Sequence, residues 1–143
     1  MPLISGDLLA HRALESLQLA EASVRRRLAA DIEREGLSQS GFAFLAQLVQ
    51  AGGQLELRDL RERIGTSKAN ATEVVTTLEL RGYVVRSRMK RDRRAAIVAI
   101  TELGAEIVDR LAPEHRARVE GAFSVLDEHE KRSLEAICRK LAA

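Results

Sequence analysis

The chemistry-bearing residues of this chain are mostly cations. Six of the nine positions 86–94 are basic: Arg86, Arg88, Lys90, Arg91, Arg93 and Arg94, with Asp92 the one acid among them. Guanidinium and ammonium groups at this density bind phosphate oxygens, and with no phosphate present they make a solvated charged loop. Residues suited to bond making are scattered by contrast. His11, His115 and His129 lack the close spacing of a metal site, and the single cysteine, Cys138, forms neither an internal disulfide nor a cysteine cluster. There is no Ser-His-Asp arrangement and no glycine-rich phosphate loop, so the expectation is a non-enzymatic protein without a cofactor.

The elements that must position these cations follow from periodicity. Leu14, Leu17, Val24, Leu28 and Ile32 recur at helical spacing and predict one long helix over 8–34. Ser38 reads as the N-cap of a second helix with Phe42, Leu45, Leu48 and Val49 inward, stopped by Gly52-Gly53. A short helix over 57–64, a turn at Gly65 and a helix capped by Ser67 and ending at Arg81-Gly82 make a helix-turn-helix. The period then changes to two. Residues 83–86 and 95–100 read as strands around a charged loop at 87–94, and Leu55 as a short third strand. Thr101 caps the next helix, Pro113 predicts a kink or break in it, and Asp127 with Glu130 forms a capping box for the last. The fold class is therefore mainly α with a small β-hairpin wing: a winged helix-turn-helix with long terminal helices. Its parts are an N-terminal dimerisation helix (1–36), a winged lobe (37–101) and C-terminal helices that complete the dimer interface (102–143).

Charge is uneven along this layout. The 143 residues sum to only +2, which argues against a nucleic-acid partner until the chain is divided. Residues 55–94 carry eleven basic and six acidic side chains, a balance of +5, and the remainder is −3. A basic stripe on a helix-turn-helix is the footprint of duplex binding. Aromatic residues are 3% of the chain, with no Trp, so stacking on unpaired bases is disfavoured and groove reading remains. No apolar run nears the ~20 residues of a membrane span. Residues 1–7 have no basic start followed by an apolar stretch, and together with the single cysteine this points to the cytoplasm.

From about Gly36 to Glu106 the sequence resembles the MarR family of winged-helix transcriptional regulators. The carrying segments are the run from Leu57 to Thr72, Leu78-Glu79-Leu80-Arg81-Gly82-Tyr83-Val84, the wing Asp92-Arg93-Arg94, and Leu103-Gly104 after Thr101-Glu102. The resemblance implies an obligate dimer, usually a repressor, often released by a small lipophilic ligand, a metal or an oxidant. It makes 67–81 the recognition helix, with Ser67, Lys68, Asn70 and Thr72 at base edges in the major groove. Capping and backbone bonding are the other uses open to Ser67 and Thr72. Arg88, Lys90, Arg91 and Arg93 would follow the DNA backbone or enter the minor groove. Asp92 and Arg94 match the wing signature and would brace the wing by a salt bridge. Glu73, Thr76 and Thr77 depart from the basic or polar residues common in relatives, and Glu73 faces phosphate unfavourably unless it is paired or reads a cytosine amino group.

The terminal helices carry more apolar surface than one small core covers, and burial between two copies is its natural use. Leu3, Ile4, Leu8, Leu14, Leu134, Ile137 and Leu141 are the interface candidates, with packing inside one chain as the alternative. A twofold axis predicts a pseudopalindromic operator. Phe42, Phe44 and Leu45 either line a ligand pocket or form core. Cys138 lies on the apolar stripe of the last helix, where a buried thiol is inert. A competing reading is a winged-helix protein-interaction module that does not bind specific DNA.

Overall fold

Local caps set where the helices begin in the computed structural model, which describes residues 5–143. The elements are α1 (Leu8–Arg34), α2 (Gln39–Gln50), β1 (Gln54–Glu56), α3 (Leu57–Ile64), α4 (Lys68–Leu80), β2 (Val84–Arg88), β3 (Ala96–Ile100), α5 (Glu102–Ala122) and α6 (Glu128–Ala142). Ser38 Oγ accepts from Gly41 N–H at 2.9 Å, and Ser67 Oγ from Asn70 N–H at 3.1 Å. At α6 the capping box is complete: Asp127 Oδ1 accepts from Glu130 N–H at 2.8 Å, and Glu130 Oε1 from Asp127 N–H at 3.0 Å. Leu3 and Ile4 lie outside the described residues.

Contacts divide the chain into two units, Asp31–Glu114 and a second made of α1 up to Ala30 with His115–Ala143. The first holds the core. Phe44, Leu45 and Leu48 of α2 close on Leu60 of α3, Val75 and Leu78 of α4, Val84 of β2 and Val98 of β3. Each contributes about 1.5–3 kcal/mol of apolar burial. Phe42 belongs to the same cluster, so Phe42, Phe44 and Leu45 are core side chains. The sheet is antiparallel in the order β1-β3-β2, with Leu55 opposite Val98 and Val85 opposite Ala99. The second unit is different in kind. Among its described residues only Ala122 is buried.

Two boundaries differ from the sequence expectation. β2 begins at Val84 and continues to Arg88, with Ser87 opposite Ile97 and Arg88 opposite Ala96. Tyr83 is taken up by the end of α4 instead. Gly82 sits at φ +78°, and Tyr83 N–H donates to Leu78 O at 3.0 Å, closing the helix. Pro113 does not break its helix, which runs unbroken from Glu102 to Ala122. Proline removes one donor, from the carbonyl of Asp109. Asp109 and Pro113 are both exposed, so the helix tolerates the lost bond on its solvent side.

Burial of His115 lowers its pKa below the usual 6.5. The unfolded chain therefore takes up the proton first. Stability is full above pH 6.5 and falls as the pH drops through the lowered value. Urea midpoints taken from pH 7.5 down to 5 are expected to decline in the native chain and to decline less in His115→Gln. Equal slopes would assign the decline to other groups.

Candidate nucleic-acid interface

The turn before α4 is fixed by one glycine. α3 ends at Gly65, whose φ of +75° is left-handed, and Gly65 N–H donates to Arg61 O at 2.9 Å. Thr66 and Ser67 then lead into α4. Ala71, Val75 and Leu78 of α4 are buried. At 100° per residue the side opposite them carries Ala69, Glu73, Thr76 and Leu80, all exposed. This stripe is the part of α4 a groove would meet first.

The four expected base readers sit around that stripe rather than along it. Ser67 is occupied as the N-cap. Lys68 and Thr72 flank one side, and Asn70 the other. The Lys68 ammonium makes no hydrogen bond or ion pair among the described residues, so it is available. Asn70 Nδ2 donates to Thr66 Oγ1 at 2.6 Å, which orients the amide and leaves Oδ1 without a partner among the described residues. Thr72 Oγ1 donates back to Lys68 O at 2.9 Å, Thr76 Oγ1 to Thr72 O at 2.8 Å, and Thr77 Oγ1 to Glu73 O at 3.1 Å. Their hydroxyl protons are used within the helix, so outward they offer methyls and lone pairs only. Sequence reasoning leaves Ala69 and Thr76 out of the site and treats Glu73 as a departure. The seven-residue spacing of Ala69 and Thr76 opposite Ala71-Val75-Leu78 is the signal that finds them.

The wing is braced, though not by the expected ion pair. Asp92 Oδ1 accepts from the backbone N–H of Arg94 at 3.0 Å, and among the described residues no ion pair joins it to the Arg94 guanidinium. The two residues are close enough in sequence for an Asx turn, which satisfies the carboxylate locally. Ala95 N–H donates to Asp92 O at 3.0 Å, Met89 N–H to Ala95 O at 3.1 Å, and Arg88 Nη1 to Arg93 O at 3.0 Å. Arg86 is diverted inward. Glu79 Oε2 accepts from its backbone N–H at 3.0 Å and Oε1 meets its guanidinium at 3.5 Å, tying β2 to α4.

What remains is a set of cations whose side chains make no hydrogen bond or ion pair among the described residues: Arg61 and Arg63 on α3, Lys68 on α4, and Lys90, Arg91, Arg93 and Arg94 on the wing. They share one unit with the exposed face of α4.

Residues 37–96 match the model of the MarR family. The uncharacterized HTH-type transcriptional regulator YkoM of Bacillus subtilis strain 168 is 31% identical over 129 residues, spanning 90% of this chain and 79% of that protein. Among solved structures, Sco3205, a MarR family transcriptional regulator from Streptomyces coelicolor in complex with DNA, superposes with a TM-score of 0.86 at 23% identity, covering 99% of this chain and 90% of that one. BpsR of Bordetella bronchiseptica, whose DNA binding is regulated by 6-hydroxynicotinic acid, superposes with a TM-score of 0.81 at 21% identity, over 92% of this chain and 99% of that one. No helix among the described residues is long and apolar enough to cross a membrane.

Proposed function

The chain belongs to the MarR family of transcriptional regulators, and on that premise we propose that a dimer of it sets α4 into successive major grooves of a pseudopalindromic operator while each wing grips the flanking backbone. The observation that carries this reading is the conjunction in one unit of an exposed α4 face and seven cations whose side chains make no hydrogen bond or ion pair among the described residues. Lys68, Asn70 and Thr72 contact base edges from the flanks of α4. Arg88, Lys90, Arg91 and Arg93 lie along phosphates, and Asp92 holds the wing turn closed through Arg94 N–H. The dimer is supported by the second unit, whose large apolar side chains are exposed in a single chain. Leu8, Leu14, Leu134, Ile137 and Leu141 supply its interface. The protein works in the cytoplasm by binding rather than by catalysis. It represses by occluding the operator, and a small lipophilic ligand releases it; the small-molecule control of BpsR supports regulation by a ligand.

The test is Arg91→Ala/Arg93→Ala. Both side chains are exposed, so the fold is retained. Each phosphate that is no longer neutralised makes the salt slope shallower by about 1, and a dimer gives up as many as about four such phosphates. Titrations of an operator duplex at several salt concentrations are expected to show a slope shallower by about 4 and binding weakened at every sequence alike. Unchanged binding would favour the other reading, a winged helix that docks a protein and whose basic wing is merely solvated.

A further inference from the structure

We propose that Glu73 is a specificity residue that selects cytosine at one fixed position in each half-site, an inference that rests on the DNA-binding reading above. Glu73 lies on the exposed stripe of α4, in sequence between Ala69 and Thr76. Its carboxylate makes no hydrogen bond or ion pair among the described residues. Of the other five acids of this unit's helix-turn-helix and wing, four have partners, Glu56 and Asp59 in Arg58, Glu79 in Arg86 and Asp92 in Arg94 N–H, and Glu62, on α3, is the fifth. Glu73 also borders a cleft of about 330 Å³ beside the start of α2, lined by Ser38 and Ser40. Neither hydroxyl bonds to its carboxylate.

The surroundings of Glu73 define what it can read. Ala69 offers a methyl, and Thr72, Thr76 and Thr77 have turned their protons into the helix. The middle of α4 is therefore all acceptor and methyl, with no donor. In the major groove an acceptor-only surface suits the exposed amino groups, cytosine N4–H₂ above all for a carboxylate, and it rejects guanine O6 and N7. An acid in this place weakens binding to every phosphate backbone. It recovers that deficit only over a base that donates to it, which is how a repulsive group confers selectivity.

Binding-site selection from random duplexes, run with the full-length native chain, Glu73→Ala and Glu73→Gln, tests this. The native chain is expected to enrich sites with a cytosine at one fixed position per half-site. Changing that cytosine to thymine, which replaces the amino group by a carbonyl, is expected to weaken binding about tenfold. Glu73→Ala is expected to lose the preference while binding the average site more tightly, and Glu73→Gln to move it toward adenine. If Glu73→Ala keeps the cytosine preference, or the native chain enriches a site with no such cytosine, the proposal is overturned and the DNA-binding reading stands. If the native chain enriches no sequence, both fall together.

Discussion

Gly104→Ala is expected to destabilise the winged unit by about 3 kcal/mol, the upper end of what overpacking costs. A Cβ at this position would stand 2.3 Å from Tyr83 O and 2.8 Å from Ile100 Cγ1. The obstacle is backbone, and that backbone is held from two sides. Tyr83 N–H donates to Leu78 O at 3.0 Å, closing α4, while Tyr83 O accepts from Thr101 N–H at 3.0 Å, at the start of α5. Thr101 adds a bond from its hydroxyl to Gly82 O at 2.6 Å and accepts from Gly104 N–H at 3.1 Å. Moving Tyr83 breaks the end of the recognition helix, and moving Gly104 breaks the start of α5. Thermal unfolding is expected about 10 °C below the native chain. Gly121→Ala provides the opposite sign. It lies in the same helix with nothing within 4 Å of the added carbon, and it is expected to gain up to about 1 kcal/mol from helix propensity alone. Equal melting of Gly104→Ala and the native chain would show that α5 moves freely past Tyr83.

The tie through Tyr83 illustrates which parts of this fold are legible in the sequence. Helix starts at Ser38, Ser67 and Asp127 are readable because a cap is a bond between residues three apart. The uneven charge is readable because phosphate attraction depends on the density of cations rather than on their exact directions. Sequence and structure part where a tertiary partner decides. Tyr83 looks like strand by type, but the closing bond of α4 takes it. Arg86 reads as a wing cation, yet Glu79, seven residues earlier, folds back onto it. Asp92 has two available partners in Arg94, and the nearer backbone N–H wins over the longer side chain. Within α4 the identities of the exposed residues are visible, but their ranking requires the direction of the core. Once Ala71, Val75 and Leu78 are known to point inward, Glu73 belongs to the outward stripe rather than being an exception.

Cys138 reads in the sequence as buried on its helix stripe, and in the single chain it is exposed. The same holds for its neighbours: Leu134 is 37%, Ile137 57% and Leu141 69% exposed. A set of helices that buries only Ala122 among its described residues does not stand alone as a core. The large expected effect therefore belongs to Ile137→Glu/Leu141→Glu. Both side chains face solvent in one chain, so the winged unit is expected to keep its structure. Across a twofold axis the pair occurs twice, and four aliphatic side chains buried at about 1.5 kcal/mol each amount to roughly 6 kcal/mol. That is more than about four decades in the dimer dissociation constant. Sedimentation at micromolar concentration is expected to give the monomer mass, and the dependence of melting temperature on protein concentration expected of the native dimer is expected to vanish. Affinity for an operator with two half-sites should fall about 10²–10⁴-fold, to that of a single half-site, because the second α4 no longer arrives at millimolar effective concentration. This outcome differs from that of the wing variant. Removing wing cations weakens one-half-site and two-half-site duplexes in proportion, whereas losing the dimer leaves the single half-site untouched. A variant that sediments as a dimer and still distinguishes two half-sites from one would place the interface away from α6.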